Sequence, residues 1–173
     1  MIVHTLFPST VCFFELGRDL TKKEMSFIMK QKQKPNEGNK TSVNSNLLES
    51  KTLKNLNRFI EDSFEQYAKN ILRIKDNVSL NITQSWANYT QKGEFHHKHN
   101  HSNSFLSGVF YVRVEEDMDQ IMFFKEGYSQ VKLEAKSFNI HNSDSWFFTV
   151  KSNQLAIFPS SLTHMVPPTD TEE

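Results

Sequence analysis

The spacing of apolar residues changes near Asp76-Asn77, and the change divides this chain into a helical first half and a β-rich second half. From Ser50 onward Leu53, Leu56, Ile60, Phe64, Tyr67 and Ile71 recur at three- and four-residue steps. That is the stripe of a long amphipathic helix, and such a stripe needs a sheet or a second helix to cover it. Past Asn77 the period falls to two: Val78, Leu80 and Ile82 alternate, predicting a strand that runs through Trp86 toward Tyr89. Further strands are expected over 105–114, 120–124, 146–150, 154–158 and 164–166. Near the start, Thr21 followed by Glu24 forms a capping-box pattern, and Met25, Ile28 and Met29 then share a helical face. This helix should fade near Pro35, before a polar, turn-rich loop over 36–46. Helices followed by a run of short strands specify an α+β fold, with helices laid on one face of an antiparallel sheet. One domain over 1–173 is expected, with mainly helical support over about 1–75 and a β core over 78–173.

Composition narrows the function more than the fold. Twenty Lys+Arg balance twenty Asp+Glu, so no net field draws in nucleic acid or an anionic membrane. Cys12, the lone cysteine, has no partner for an internal disulfide, which points to a reducing, cytoplasmic compartment. The apolar opening over 1–17 lacks a basic start, carries Pro8 and reaches Glu15 without a small-residue cleavage site. It is also too short to cross a bilayer, so it reads as an edge strand or a packed arm.

The chemistry concentrates in histidine. Four of the seven histidines, His96, His97, His99 and His101, fall in the run EFHHKHNHSNS. On a strand, His97, His99 and His101 point to one face, and His96 faces away toward solvent. Neutral imidazole is the commonest protein ligand for first-row metals. His164 stands far downstream in FPSSLTHMVPP. A close histidine pair on one strand plus a distant histidine on an antiparallel partner is how a double-stranded β-helix builds a metal site. The pair is His99 and His101, or His97 and His99 in a shifted register. His4 and His141 have no partner in the pattern and are expected in surface or loop positions.

Several motifs occur together and in order: Trp86-Ala87-Asn88, the HxHxNS run from His99 to Ser104, Ser107-Gly108-Val109 leading to Tyr111, and Phe158-Pro159-Ser160 leading to His164. With Phe7-Pro8 and the GNKTS segment from Gly38, they resemble a family of 2-oxoglutarate/Fe(II)-dependent oxygenases whose members occur in bacteria and marine bacteriophages. The resemblance implies a double-stranded β-helix, or jelly-roll, core with N-terminal helices packed on one sheet. It places iron on His99, His101 and His164. Tyr111 and Asn88 are then expected at 2-oxoglutarate, and His97, Asn103 and Ser107 around the ligands. O2 would be the co-reactant, succinate and CO2 the products, and the substrate a small molecule or a protein side chain. Such sites generally hold iron by two histidines and a carboxylate. His101 stands in the carboxylate position, as the HxH form of the motif has it. Trp86, Phe95, Phe105 and Tyr111 are read as core residues, with lining of such a pocket as the alternative.

The family holds the far carboxylate of 2-oxoglutarate with a basic residue shortly past the distal histidine, where TDTEE runs into an arginine-led strand. This chain reaches Glu173 first, so either the chain is truncated or the anchor is lost. A missing final strand would leave an exposed sheet edge and favour aggregation or pairing with another chain, a homodimer among the options. Arg113 is read as a surface ion-pair residue, with a substitute anchor as its alternative role. Two other readings stay open. One is a cupin-like metal protein that does not use 2-oxoglutarate, although 102–114 contain none of the acids such a site adds. The other is a jelly-roll binding module without catalysis.

Overall fold

The computed structural model describes residues 1–127, 131 and 133–168. Over these residues it is a mixed α/β fold whose three sheets pair their strands antiparallel, an arrangement compatible with a jelly-roll. Strand β1 (Cys12–Glu15) leads to helix α1 (Lys22–Met29), the hairpin β2 (Gln33–Pro35) and β3 (Lys40–Ser42), and helix α2 (Lys54–Tyr67). The remaining strands are β4 (Asn88–Tyr89), β5 (His96–His99), β6 (Leu106–Tyr111), β7 (Gln120–Phe124), β8 (Ser145–Thr149), β9 (Gln154–Pro159) and β10 (His164–Val166). The sheets run β1-β9-β6, β5-β10-β7-β8 and β2-β3-β4.

The central strand β9 organises the core. Leu155, Ala156, Ile157 and Phe158 are each at most 1% exposed, so the strand is covered on both faces. On one face Leu155 and Ile157 cluster with Leu56, Ile60 and Tyr67 of α2, and with Leu47, Leu53 and Ile28. On the other, Ala156 and Phe158 cluster with Tyr111, Ile121, Phe123 and Val150. Burial on both faces is why this segment is a continuous apolar run rather than an alternating one. A Cβ on Gly108 of β6 would lie 3.0 Å from Phe64 Cζ and 3.3 Å from Leu155 Cδ1. Helix α2 therefore seats where β6 presents no side chain. The expected edge strand at the N-terminus is β1, paired from Cys12↔Ile157 to Glu15↔Gln154.

Helix α1 begins as its capping box requires. Thr21 Oγ1 accepts from the Glu24 amide at 3.2 Å, and Glu24 Oε2 accepts from the Thr21 amide at 2.8 Å. Arg18 donates to both Glu24 oxygens at 2.9 and 2.8 Å, holding this buried carboxyl down to about 2.

Two expectations are corrected. The alternating Val78, Leu80 and Ile82 form no strand; all three are exposed, and among the described residues no neighbouring strand offers them a ladder. Alternation supplies side-chain placement, but a strand also needs a pairing partner. Part of the expected 36–46 loop is instead structured: β3 pairs β2 from Gln33↔Ser42 to Pro35↔Lys40 and pairs β4 on its other side. The segment 169–173, which the resemblance ties to an arginine-led strand, lies outside the described residues. Among the described residues no helix is long and apolar enough to cross a membrane.

Candidate metal centre

The histidine site forms where β5 and β10 meet. His99 is the direct register partner of His164, whose other neighbour in the sheet is Phe123 of β7. The two imidazole centroids lie 4.4 Å apart. His101 follows β5 and is drawn in by main-chain bonds: its amide donates to the Ser160 carbonyl at 2.9 Å, and the Ser160 amide donates to Phe105 at 3.1 Å. The buried Ser160 hydroxyl also meets Ser107 Oγ at 2.8 Å. Ser160 thus links the segment after β5, the start of β6 and the turn into β10. His101 sits 4.9 Å from His99 and 5.2 Å from His164, centroid to centroid.

These three histidines can each offer one ring nitrogen, with all three nitrogens within 4.8 Å of one another. Their hydrogen bonds show which nitrogen is free. His99 Nδ1 lies 2.7 Å from the His97 carbonyl, and His164 Nδ1 lies 3.0 Å from the Leu162 carbonyl. A carbonyl only accepts, so Nδ1 carries the proton in both rings and the Nε2 lone pair remains for a ligand. Backbone carbonyls commonly orient metal-ligating histidines in this way.

Burial keeps the rings neutral. His164 is 4% exposed, with its ring 4.7 Å from Phe158 and 6.2 Å from Phe123. Desolvation pushes it down to about 4, and the nearby imidazoles of His99, His101 and His97 add to the effect against the opposing hydrogen bond to Leu162. His99 and His101 are also lowered, chiefly by desolvation. A neutral imidazole has its lone pair ready, and three of them on one face fit a first-row divalent metal with positions left open.

His96 is a correction. Strict alternation turns it to solvent, yet it is half-buried, with its ring 4.4 Å from His99 and 5.2 Å from His97. The cause is a bulge in β5: His164 pairs with His99, but Val166 pairs with His96, so two steps on β10 match three on β5. An extra residue resets the alternation and re-aims the side chains beyond it. Lys98 keeps the opposite orientation, its ammonium 3.9 Å from the centre of the Phe124 ring. His97 Nδ1 is 3.4 Å from the Glu37 carbonyl in the turn between β2 and β3. His96, His97 and His99 also bring three ring nitrogens within 4.8 Å.

The other expected residues are distributed unevenly. Ser107 is hydrogen-bonded to Ser160, while Asn103 is exposed in a turn with φ 60°. Asn88 is exposed on β4, and both asparagines line the same open cavity of ≈ 1690 Å³ as His99, His101 and His164. Tyr111 lines it too, but its hydroxyl is buried without a hydrogen-bond partner among the described residues. Burial, with Asp119 nearby, pushes this phenol well above its ordinary range, so it stays a protonated donor. Trp86 is 40% exposed with its ring 5.8 Å from His101, and Phe105 is 63% exposed. Phe95 packs against Gly38. Arg113, His4 and His141 are exposed, and neither histidine belongs to a potential ligand group among the described residues.

The sequence reading left two contributors without a role. His96 enters through the bulge, which no spacing rule exposes. Ser160 was visible inside the FPSS motif, but its linking role depends on which loops the fold brings together. No curated protein matches the chain. The model of the family described as "Putative 2OG-Fe(II) oxygenase" matches residues 84–173, more than half of the chain and all five clustered histidines, and the chain belongs to that family.

Proposed function

We propose that the chain is an Fe(II)- and 2-oxoglutarate-dependent dioxygenase on a double-stranded β-helix core, hydroxylating its substrate with release of succinate and CO2. The observation that carries this reading is the face of neutral imidazoles on His99, His101 and His164, lying within the region that matches the oxygenase family. Iron and 2-oxoglutarate bound there would supply the O2-dependent oxidation, since the side chains alone have no redox chemistry.

The protein's own residues supply geometry and a polar handle. His99 and His164 present Nε2, fixed by the carbonyls of His97 and Leu162. His101 supplies the third nitrogen, its backbone anchored on Ser160. The orphaned Tyr111 hydroxyl is the donor we assign to the cosubstrate carboxylate, because a buried phenol without an acceptor is costly until a ligand provides one. Asn88 would contact the cosubstrate from the cavity wall, and the exposed rings of Trp86 and Phe105 would meet the substrate outside the metal.

Anaerobic titration with Fe(II) and then 2-oxoglutarate tests this reading. The expected result is a visible metal-to-cosubstrate charge-transfer band that His99→Ala removes. Iron binding without that band would favour a cupin-like metal protein that does not use 2-oxoglutarate. Failure to bind iron would overturn the reading.

A further inference from the structure

We infer that the chain carries a second metal-binding triad, His96, His97 and His99, which takes a borderline divalent cation of the Co(II)–Zn(II) class and shares His99 with the His99–His101–His164 triad, so that only one of the two is filled at a time.

Three observations support it. First, the ligand atoms of His96, His97 and His99 lie within 4.8 Å of one another, a bound that the other triad also meets. The three centroids are 4.4 to 5.2 Å apart, a closed triangle rather than a row along a strand. Second, the triangle is built by the fold. A regular strand would turn His96 away, and the bulge between the His99↔His164 and His96↔Val166 pairs brings it back. Third, this end of β5 is held from outside the strand. The Phe95 amide donates to the Gly38 carbonyl at 3.0 Å, and the Glu37 carbonyl faces His97 Nδ1 at 3.4 Å, leaving Nε2 of that ring free. A flexible histidine run has neither constraint.

Exclusivity follows from His99. Its Nδ1 is committed to the His97 carbonyl at 2.7 Å, so only Nε2 remains, and one lone pair serves one metal. Bridging two metals would need a deprotonated ring and the loss of that bond. All three residues of the second triad are half-buried, whereas His164 in the first is 4% exposed. The second triad is thus the more accessible one, and a cation settling there would withdraw His99 from the inner face. The existence of this triad does not depend on the oxygenase reading; its exclusivity rests on the inner triad being a metal site.

The test is a titration of the full chain with Co(II) alone, followed by its visible absorption. Wild type should bind one equivalent. His164→Gln and, independently, His101→Ala break the inner triad without touching the outer one; using both guards against a folding defect in either, with circular dichroism as the check. Each should still bind one equivalent with an altered spectrum, and adding His96→Ala should weaken that binding by at least about tenfold. The inference is overturned if both inner-triad variants, folded, bind no stoichiometric Co(II). It is also overturned if their binding survives His96→Ala, since the ion is then adventitious. Two equivalents in wild type would overturn exclusivity. If His164→Gln and His101→Ala leave the wild-type spectrum unchanged while His96→Ala abolishes it, the outer triad is the metal site, and the proposed oxygenase centre fails instead.

Discussion

His99 and His164 are direct register partners across β5 and β10, and each turns its Nδ1 onto the carbonyl of the residue two positions before it in the sequence. Two strands distant in sequence thus present matching tautomers toward one point. Under the proposed function, replacing either ring by alanine removes a ligand and leaves an oriented partner facing a gap. His99→Ala and His164→Ala should each weaken Fe(II) binding by about a hundredfold or more, beyond the range seen when only the groups around a ligand are altered. Anaerobic competition against a chelating dye measures this. Iron affinity within a few-fold of wild type in either variant would place the metal elsewhere.

Gly38 lies against Phe95, at the entry to β5, from the hairpin side. Its φ is +87°, and a Cβ there would lie 2.6 Å from the Phe95 carbonyl oxygen, backbone that leads directly into His96. Gly93 also has a left-handed φ, +79°, but open space around it. Both Gly→Ala changes incur left-handed strain of about 1–2 kcal/mol, and only Gly38→Ala adds a backbone collision. Urea midpoints should therefore fall further for Gly38→Ala than for Gly93→Ala, and only Gly38→Ala should also weaken metal binding. Equal losses in the two variants would show that the hairpin does not brace β5.

Burial of neutral histidines gives the metal-free protein an acid sensitivity of definite sign. His96 is pushed down to about 3 and His164 to about 4, from an ordinary 6.5, with desolvation the largest cause in each. Below the ordinary value the unfolded chain takes up protons that the folded chain refuses, so unfolding gains as pH falls toward 4. Above that value neither state binds the proton, and the contribution is flat. Each group can add a slope of up to about 1.4 kcal/mol per pH unit inside this window. Urea unfolding of metal-free protein at about pH 7.5 and about pH 5 should show a loss at the lower pH that His164→Gln reduces. An unchanged pH dependence in that variant would mean that His164 titrates normally.

What the sequence disclosed, and what it did not, follows from the range of the forces involved. The capping box at Thr21 and Glu24, the α2 stripe and the run of β9 are set by neighbours in the chain, and the structure has them. The expected strand at Val78 failed because pairing depends on a partner that local alternation does not supply. The hairpin of β2 and β3 was hidden for the converse reason: polar residues such as Lys40 and Thr41 form a ladder because β4 lies beside them. At the site, the histidines were conspicuous by type and spacing. The position of His96 was not, because one extra residue in β5 relative to β10 inverts every alternation argument beyond it.

In the proposed function His101 takes the place where such triads generally carry a carboxylate, and its substitution separates two accounts of the centre. Three imidazoles are neutral donors and leave the full charge of Fe(II) in place; one carboxylate would offset part of it and favour the higher oxidation state. The His101 backbone is fixed by its amide bond to the Ser160 carbonyl, so His101→Asp would project its carboxylate from an anchored position. The shorter side chain also reaches less far than the ring it replaces. If the site tolerates a mixed donor set, His101→Asp should keep Fe(II) affinity within about tenfold of wild type while losing preference for Cu(II) and Ni(II), which imidazole favours. Anaerobic competition with these ions measures both quantities. A collapse of iron binding in a folded His101→Asp variant would show instead that the centre requires three imidazoles, with its geometry set by the ring at position 101.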